Sequence, residues 1–182
     1  MRSREPRRIS ADELWEYALK RLAARAYSSG ELKEKLRRNA SHAQDVEVIL
    51  ARLKEHGYLN DRAYAESYAH ARLDNRQFGK LRVLHDLRGK RVAPALASGA
   101  VRKVFAGVDE DALAEEYVRR KYRYAARDEL FQSERDLSAA YGRLRRAGFP
   151  SGSIVRVLKK FAKNPDLLDA FEAPGEAEEE TE

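Results

Sequence analysis

Hydrophobic residues recur at intervals of three or four along most of the chain. The clearest runs are Leu14, Ala18 and Leu22 in one segment and Val46, Ile49, Leu50 and Leu53 in another. This spacing places apolar side chains on one face of an α-helix. The β-branched residues that favour strands are sparse, with three Ile and a single Thr, and do not alternate with polar residues. The pattern predicts an all-α fold.

Two helix starts are marked by a serine that precedes a glutamate by three residues. Ser10 with Glu13 and Ser28 with Glu31 have the spacing of a capping box, in which the two side chains satisfy each other's backbone N–H groups. We therefore expect helices to begin near residues 10 and 28. A third helix is predicted to end before Gly57, because glycine commonly terminates helices.

The three-helix pattern is predicted to recur twice more. The middle helix of each set ends in a leucine followed by basic residues, at Leu36, Leu87 and Leu144. The intervals of 51 and 57 residues between these leucines indicate diverged repeats, and they fit neither the tetratricopeptide period of about 34 residues nor the ankyrin period of about 33. The further helices are predicted over residues 61–73, 79–88, from Pro94 to about 107, 109–126, 133–147 and 153–163.

These elements define a predicted domain organisation. A basic N-terminal extension, 1–9, precedes three-helix modules over 10–60, 61–108 and 109–171, and an acidic segment, 172–182, follows them. Each module is too short to bury much apolar surface alone, so neighbouring modules are expected to stack into a tandem array. That array is predicted to be elongated, either straight or curved. The acidic segment is predicted to be disordered.

The charge balance adds a basic character to this helical picture. The 182 residues include 36 Lys and Arg and 30 Asp and Glu, for a net charge of +6. Six of those acids and no base lie in residues 172–182, so the remainder of the chain carries 36 basic and 24 acidic residues, a net charge of +12. Such a surface attracts polyanions, among which nucleic acid is the commonest in cells. The alternative is a solvated surface with no polyanionic partner.

Composition also bears on location and on the classes of site. The chain has no Cys, which excludes disulfides, thiolate metal sites and a cysteine nucleophile, and favours a reducing cytoplasm. The basic residues near the start are not followed by an apolar signal region, and the most apolar window, 92–101, is about half the length of a membrane span. A cytoplasmic protein without membrane association is predicted.

No pattern of catalytic or metal-ligating residues is recognisable. The four histidines, His42, His56, His70 and His85, lie 14 or 15 residues apart, which fits no compact ligand cluster. The acids at 109–111 are explained by a helix N-terminus, where negative charge is favourable. We therefore predict no enzyme activity, no cofactor and no metal. An enzyme acting on nucleic acid is a third alternative, and it would need a site of this kind.

The basic residues that are candidates for partner contact fall in two groups. Arg119, Arg123 and Arg127 recur every fourth residue and are predicted to line one face of the helix over 109–126, with no acidic residue four positions further on. Both phosphate contact and simple solvation explain such a stripe. The other candidates for binding nucleic acid or a nucleoprotein filament are Arg145, Arg146, Lys159, Lys160, Arg88, Lys90 and Arg91.

Three stretches of the chain resemble the bacterial RecX family, the regulators of the RecA recombinase. The first runs from Arg25 to Leu36, with the pattern Arg, Ser, Glu-Leu and Lys-Leu. The second is Gly57 to Asp61 followed by Tyr64, Ala65, Tyr68, Arg72, Phe78 and Gly79, and the third is Leu144 to Phe149 with Ile154 and Leu158. The sequence departs from the family at Arg91 and Ala40, where glycine is usual. Differently shaped corners are expected at these two positions.

The resemblance implies a function as well as a fold. Members of the family are tandem three-helix proteins that bind in the groove of the RecA filament on single-stranded DNA. They mainly inhibit RecA by suppressing ATP hydrolysis, strand exchange and the coprotease activity that cleaves LexA. The resemblance therefore implies the RecA nucleoprotein filament as partner and roles in recombination, DNA repair and the SOS response. We also expect non-specific binding of single- or double-stranded DNA.

Two further expectations concern assembly and the alternative function. Three-helix modules also resemble helix-turn-helix units, so a DNA-binding transcription regulator is the second hypothesis. Such a regulator usually dimerises, whereas this sequence contains no heptad run. A monomer is therefore predicted.

Overall fold

The computed structural model describes residues 8–76, 78–123 and 130–171. Within these ranges the chain forms nine α-helices, one 3₁₀-helix and no β-strand, which confirms the all-α prediction. The α-helices are α1 (Ala11–Ala24), α2 (Ser29–Arg37), α3 (Ala43–Glu55), α4 (Asp61–Arg76), α5 (Lys80–Gly89), α6 (Pro94–Val104), α7 (Glu110–Lys121), α8 (Glu134–Ala147) and α9 (Ser151–Lys159). The 3₁₀-helix is Pro165–Phe171.

The two predicted capping boxes have different outcomes. At α1 the box is complete: the Ser10 N–H donates to a Glu13 carboxylate oxygen at 3.0 Å, and the Glu13 N–H donates to the Ser10 hydroxyl. At α2 only half of it forms. The Ser28 hydroxyl accepts from the Glu31 N–H at 3.0 Å, whereas the Glu31 carboxylate is held by Arg25 and Lys90. The prediction of a second full capping box is therefore wrong.

Helix α7 is shorter than predicted. It ends at Lys121 rather than near residue 126, and Tyr122 adopts the non-helical φ of −111° and ψ of 24°. The Tyr122 ring packs edge-on against Phe131, with centroids 5.1 Å apart. This aromatic contact is tertiary, so helical periodicity could not reveal it.

The contacts divide the chain into two compact units. The first comprises residues 8–70 and 84–104 of the described chain, and the second comprises 71–83 and 105–171. The division passes through α4 and α5. Each unit is described separately below.

In the first unit, α1, α2 and α3 pack together around a common core. The buried side chains of this core share the helical spacing seen in the sequence. The largest of them are Leu14, Leu32, Leu36, Val46 and Leu53. A short parallel bridge joins Ile9 to Ala40, so the segment before α1 is tied to the turn after α2. The apolar pattern that predicted these helices is therefore the pattern that fills the core.

The N-terminus of α2 lies against the turn that follows α5, within the first unit. The Ser28 hydroxyl donates to the Lys90 carbonyl, and the Ser29 N–H donates to an Asp61 carboxylate oxygen at 2.7 Å. A Cβ added at Gly30 would lie 2.5 Å from both the Cβ and the carbonyl oxygen of Arg91. The approach is so close that only glycine fits at residue 30.

Arg91 adopts a left-handed backbone conformation, with φ of +57°. Gly148, which follows α8, is left-handed too, with φ of +91°. The corner at Arg91 thus keeps the conformation that glycine adopts at a helix end, and the expectation of a different shape is wrong there. Ala40 is not left-handed and forms the bridge with Ile9 instead.

The second unit is organised around α9, which contacts α7, α8 and the 3₁₀-helix. Its core includes Leu137, Leu144, Phe149, Ile154 and Leu158, each at most 1% exposed. The burial of Val155 and Val157 beside Ile154 and Leu158 shows that α9 is enclosed on more than one side.

A close backbone contact also occurs in the second unit, between the start of α5 and the turn after α8. The Gly79 N–H donates to the Ala147 carbonyl at 3.0 Å, and the Leu81 N–H donates to the Gly148 carbonyl at 3.2 Å. A Cβ at residue 79 would lie 2.2 Å from the Gly148 carbonyl oxygen. As at Gly30, a glycine at the start of a helix packs against a residue in the left-handed conformation near the end of another helix.

None of the helices in the described ranges is both long enough and apolar enough to cross a membrane.

The glycine contact in the second unit leads to a first prediction. Gly79→Ala should lower the free energy of unfolding by about 3 kcal/mol, because backbone atoms rather than a flexible side chain would have to move. The matched control is Gly99→Ala within α6, where a Cβ meets no atom within 4 Å. That change should raise stability by about 0.5–1 kcal/mol. Urea denaturation would compare the variants, and equal stability of the two would contradict the contact.

The corner at Arg91 leads to a second prediction. Arg91→Gly should stabilise the protein by about 1 kcal/mol, because a left-handed conformation is strained for arginine and not for glycine. The exposed ion pair of Arg91 with Glu34 contributes less than this strain. Arg88→Gly makes the same substitution inside α5 and should destabilise by about 0.5–1 kcal/mol. Thermal unfolding should therefore shift in opposite directions for the two variants.

Candidate nucleic-acid interface

The predicted contact residues of the first unit follow one another at the end of α5. Lys90 lies 3.1 Å from Glu31, and Arg91 lies 3.1 Å from Glu34. Arg88 is exposed and forms no ion pair with any residue of the described ranges. Lys90 and Arg91 thus have carboxylate partners within the protein, Lys90 sharing Glu31 with Arg25, while Arg88 has none in the described ranges.

In the second unit, one carboxylate holds two of the predicted cations. The Arg119 guanidinium donates twice to a Glu115 oxygen, at 2.7 and 3.2 Å, and the Lys160 ammonium donates to the other oxygen at 2.8 Å. The hydrogen bonds from Lys160 and Arg119 lower the pKa of Glu115 below its ordinary value, so the carboxylate is ionised at neutral pH. The expectation that the stripe lacks an acidic partner is wrong, because Glu115 lies one helical turn before Arg119.

The predicted stripe itself does not form on one helix. Arg119 lies in α7, but Arg123 follows the end of that helix. Arg127 lies outside the described residues. Of the other candidates, Lys159 is 2.9 Å from Asp169, and Arg145 donates to the Ser151 hydroxyl at 3.0 Å.

A second ion pair beside Glu115 was not anticipated from the sequence. Arg156 in α9 forms two hydrogen bonds with Asp111 in α7, at 2.6 and 2.9 Å. These bonds lower the pKa of Asp111 and raise that of Arg156. Asp111 and Glu115 are four residues apart on α7, as are Arg156 in α9 and Lys160 at its C-cap. This matched spacing was the available signal, and it identifies a link between two packed helices.

Three arginines lie near enough to the buried Tyr117 to act on its charge, and we call Arg120, Arg143 and Arg146 the arginine cluster. Burial is the largest influence on the pKa of Tyr117 and raises it, whereas all three arginines act to lower it. No carboxylate is among the largest influences. The Arg120 guanidinium lies 5.6 Å from the centre of the Tyr117 ring, so aromatic rings support part of the cluster.

The two α8 members of the cluster are the best placed for an external anion. Arg143 and Arg146 are exposed, lie three residues apart and form no ion pair with a described carboxylate. The Arg143 guanidinium lies 5.4 Å from the centre of the Tyr122 ring. Arginine offers several N–H donors in a plane, which suits the oxygens of a phosphate. The cluster is therefore our candidate for contact with a nucleic-acid backbone.

Sequence reasoning named Arg146 and overlooked Arg143 and Arg120. The apolar positions of α8, Leu137, Ala140, Leu144 and Ala147, define its buried face. Helical geometry then places residues 143 and 146 together on the exposed side, so this signal was present. The approach of Arg120 from α7 depends on how α7 and α8 pack, which the sequence does not encode locally.

Groups of three or more histidine, aspartate and glutamate side chains that could hold a metal ion are absent from the described part of the chain.

Comparisons with known proteins find a family model and several relatives that share one name. Residues 60–101 match the family model described as RecX, second three-helix domain. "Regulatory protein RecX" of Trichlorobacter lovleyi is 34% identical over 143 residues, which cover 79% of this chain and 92% of the relative. The chain belongs to the RecX family. "Regulatory protein RecX" of Thermus thermophilus is 36% identical over 138 residues, 75% of this chain and 83% of the relative.

The RecX fold is also seen in solved structures. The crystal structure of RecX from Lactobacillus salivarius superposes with a TM-score of 0.65 and 18% identity, covering 83% of this chain and 96% of that one. A second RecX crystal structure gives a TM-score of 0.62 and 19% identity, covering 81% and 71%. The all-α fold is therefore that of RecX, as the sequence motifs predicted.

The arginine cluster leads to a third prediction. Arg143→Ala together with Arg146→Ala should weaken binding to single-stranded DNA of any sequence and should reduce the slope of log affinity against log salt by about 1.4, or about 0.7 per phosphate contact. Fluorescence anisotropy with an oligo(dT) probe at several salt concentrations would measure it.

The matched control removes the same amount of charge elsewhere. Arg119→Ala with Lys160→Ala eliminates two cations that are both hydrogen-bonded to Glu115. This pair should change the slope by less than half as much. If both double variants had equal slopes, net charge rather than the cluster would govern DNA binding.

Proposed function

We propose that this protein regulates the RecA recombinase, mainly as an inhibitor. It binds in the groove of the RecA filament on single-stranded DNA and suppresses ATP hydrolysis, strand exchange and the coprotease activity that cleaves LexA. The observation that carries the proposal is the match to relatives named "Regulatory protein RecX", which extends over 92% of the Trichlorobacter lovleyi protein. A resemblance over nearly the whole relative supports a shared activity.

The charge distribution supports the same proposal. A chain with a net charge of +12 outside its last eleven residues is attracted to a nucleoprotein filament before specific contacts form. Arg88, Arg143 and Arg146 keep charges that no described carboxylate neutralises. In our proposal these residues contact DNA phosphates without regard to sequence.

The other cations predicted to contact the partner have a different role in this proposal. Arg119, Lys160, Lys159, Lys90 and Arg91 already hold carboxylates. Phosphate contact at these positions would exchange one anion for another, which gains little. They would therefore add to the electrostatic attraction rather than form the main contacts.

Regulation in this proposal requires no chemical step by the protein itself. It acts as a monomer in the cytoplasm, where RecA works, and needs neither cofactor nor metal. Its effect on ATP hydrolysis is exerted through the filament, by stabilising an arrangement of RecA that hydrolyses ATP slowly. Binding energy alone can achieve this, provided that the protein binds the two arrangements with different affinity.

The fourth prediction tests this function directly. The purified full-length protein should lower the rate of single-stranded-DNA-dependent ATP hydrolysis by RecA of the same organism, and LexA cleavage should fall in parallel. Arg143→Ala with Arg146→Ala should require a several-fold higher concentration for the same inhibition, because two phosphate contacts would be lost. A coupled assay of ADP release measures the first effect, and gel analysis of LexA measures the second.

The control separates filament regulation from competition for DNA. The assay is repeated with RecA already assembled on an excess of DNA, where a protein that merely occupies free DNA has no effect. Unchanged ATP hydrolysis under both conditions would contradict the proposal. Sequence-specific binding to a palindromic duplex, combined with that result, would favour the transcription-regulator hypothesis.

A further inference from the structure

A groove opens in the first unit, beside the second half of α1 and the first half of α4. Its volume is about 990 Å³. Leu19, Leu22 and Ala23 form an aliphatic wall on the α1 side, and Ala63 and Tyr64 contribute from α4. Grooves of this kind, with apolar walls between helices, commonly bind an amphipathic helix of another protein.

The charged side chains that line the groove are both positive. Arg25 and Lys90 line it, and none of the described lining residues is acidic. Their shared counter-ion is Glu31, 3.5 Å from Arg25 and 3.1 Å from Lys90, which does not line the groove and is only 17% exposed. One carboxylate balances only one of these two cations, so a net positive charge remains beside the groove and favours an acidic occupant.

Three of the four aromatic residues that line the groove are poorly arranged for stacking with nucleic-acid bases. The Arg25 guanidinium covers the Tyr27 ring at 3.6 Å. Tyr64 and Tyr68 stack on each other with centroids 6.2 Å apart, and their hydroxyls bond to acidic residues of the protein. The aliphatic wall offers no partner for the polar edge of a base, and unpaired buried polar groups are costly. Aliphatic side chains are better suited to this surface.

We propose that this groove binds an acidic amphipathic helix of a protein partner. Aliphatic side chains of that helix lie against Leu19 and Leu22, and its carboxylates meet Arg25 and Lys90. Tyr58, which is 56% exposed, lines the groove as well and supplies the kind of aromatic contact that dominates many protein interfaces. The identification of the partner as a RecA protomer rests on the function proposed above, whereas the chemistry of the occupant does not.

The experiment uses two synthetic helices of about four turns that share one face of leucines and differ only in carrying Glu or Lys on the other. Fluorescence anisotropy with the full-length protein should show that the Glu helix binds about tenfold more tightly than the Lys helix. Oligo(dT) is titrated in parallel as the nucleic-acid probe. RecA of the same organism, without DNA, is titrated as the physiological candidate.

Two kinds of variant locate the binding in the groove. Ala63→Trp fills it from an exposed helical position and should abolish binding of the Glu helix, whereas Ala95→Trp, exposed on α6 outside the lining, should not. Ser67→Glu should weaken binding of the Glu helix about tenfold and Ser67→Lys should strengthen it. Ser98→Glu and Ser98→Lys on α6 are the matched controls. Circular dichroism confirms that each variant is folded.

The outcomes distinguish this inference from the proposed function. Equal affinity for the Glu and Lys helices, or unchanged binding by Ala63→Trp, overturns the inference whatever the effect on RecA. Loss of oligo(dT) affinity in Ala63→Trp identifies a nucleic-acid groove and also overturns it. If the Glu helix binds in the groove but RecA neither binds nor slows its ATP hydrolysis, the inference stands and the proposed function fails. Parallel loss of Glu-helix and RecA binding in Ala63→Trp supports both.

Discussion

The close approach of a helix N-terminus to a left-handed corner is the constraint on which each unit depends. Gly30 meets Arg91 in the first unit, and Gly79 meets Gly148 in the second, at distances that leave no room for a Cβ on either glycine. Helix N-termini carry N–H groups that the helix itself cannot satisfy. At α5 the neighbouring corner supplies the carbonyls of Ala147 and Gly148 for two such donors. Close packing and hydrogen bonding thus reinforce each other.

The same constraint explains which parts of the fold the sequence could predict. Apolar periodicity and the capping serines are local signals, and they located the nine helices of the described ranges to within about four residues, except for the end of α7. Ser28 was correctly placed as an N-cap, but its partner Glu31 turned away from the backbone to meet Arg25 and Lys90. The alternative partners come from residues up to 59 positions away, so the local spacing could not reveal them.

The candidate interface was less predictable because charge alone does not show which cations are already paired. Arg119 and Lys160 were candidates for partner contact, yet both bind Glu115. Arg143 was overlooked, although it lies beside Arg146 on the exposed face of α8. The net charge measures the excess of bases over acids, whereas binding depends on which of them the fold leaves without a counter-ion. That distribution is set by the packing of α7, α8 and α9.

Glu31 connects the architecture of the first unit with the chemistry of its groove. Burial acts to raise the pKa of Glu31, but hydrogen bonds from Lys90 and Arg25 outweigh it, and the pKa lies below its ordinary value. A carboxylate with a lowered pKa in the folded state stabilises the protein above its unfolded-state pKa and loses this contribution as the pH falls through the folded value. At neutral pH Glu31 is ionised. It therefore fixes the two cations beside the groove, so the residue that joins α2 to the turn after α5 also determines the charge that an incoming helix meets.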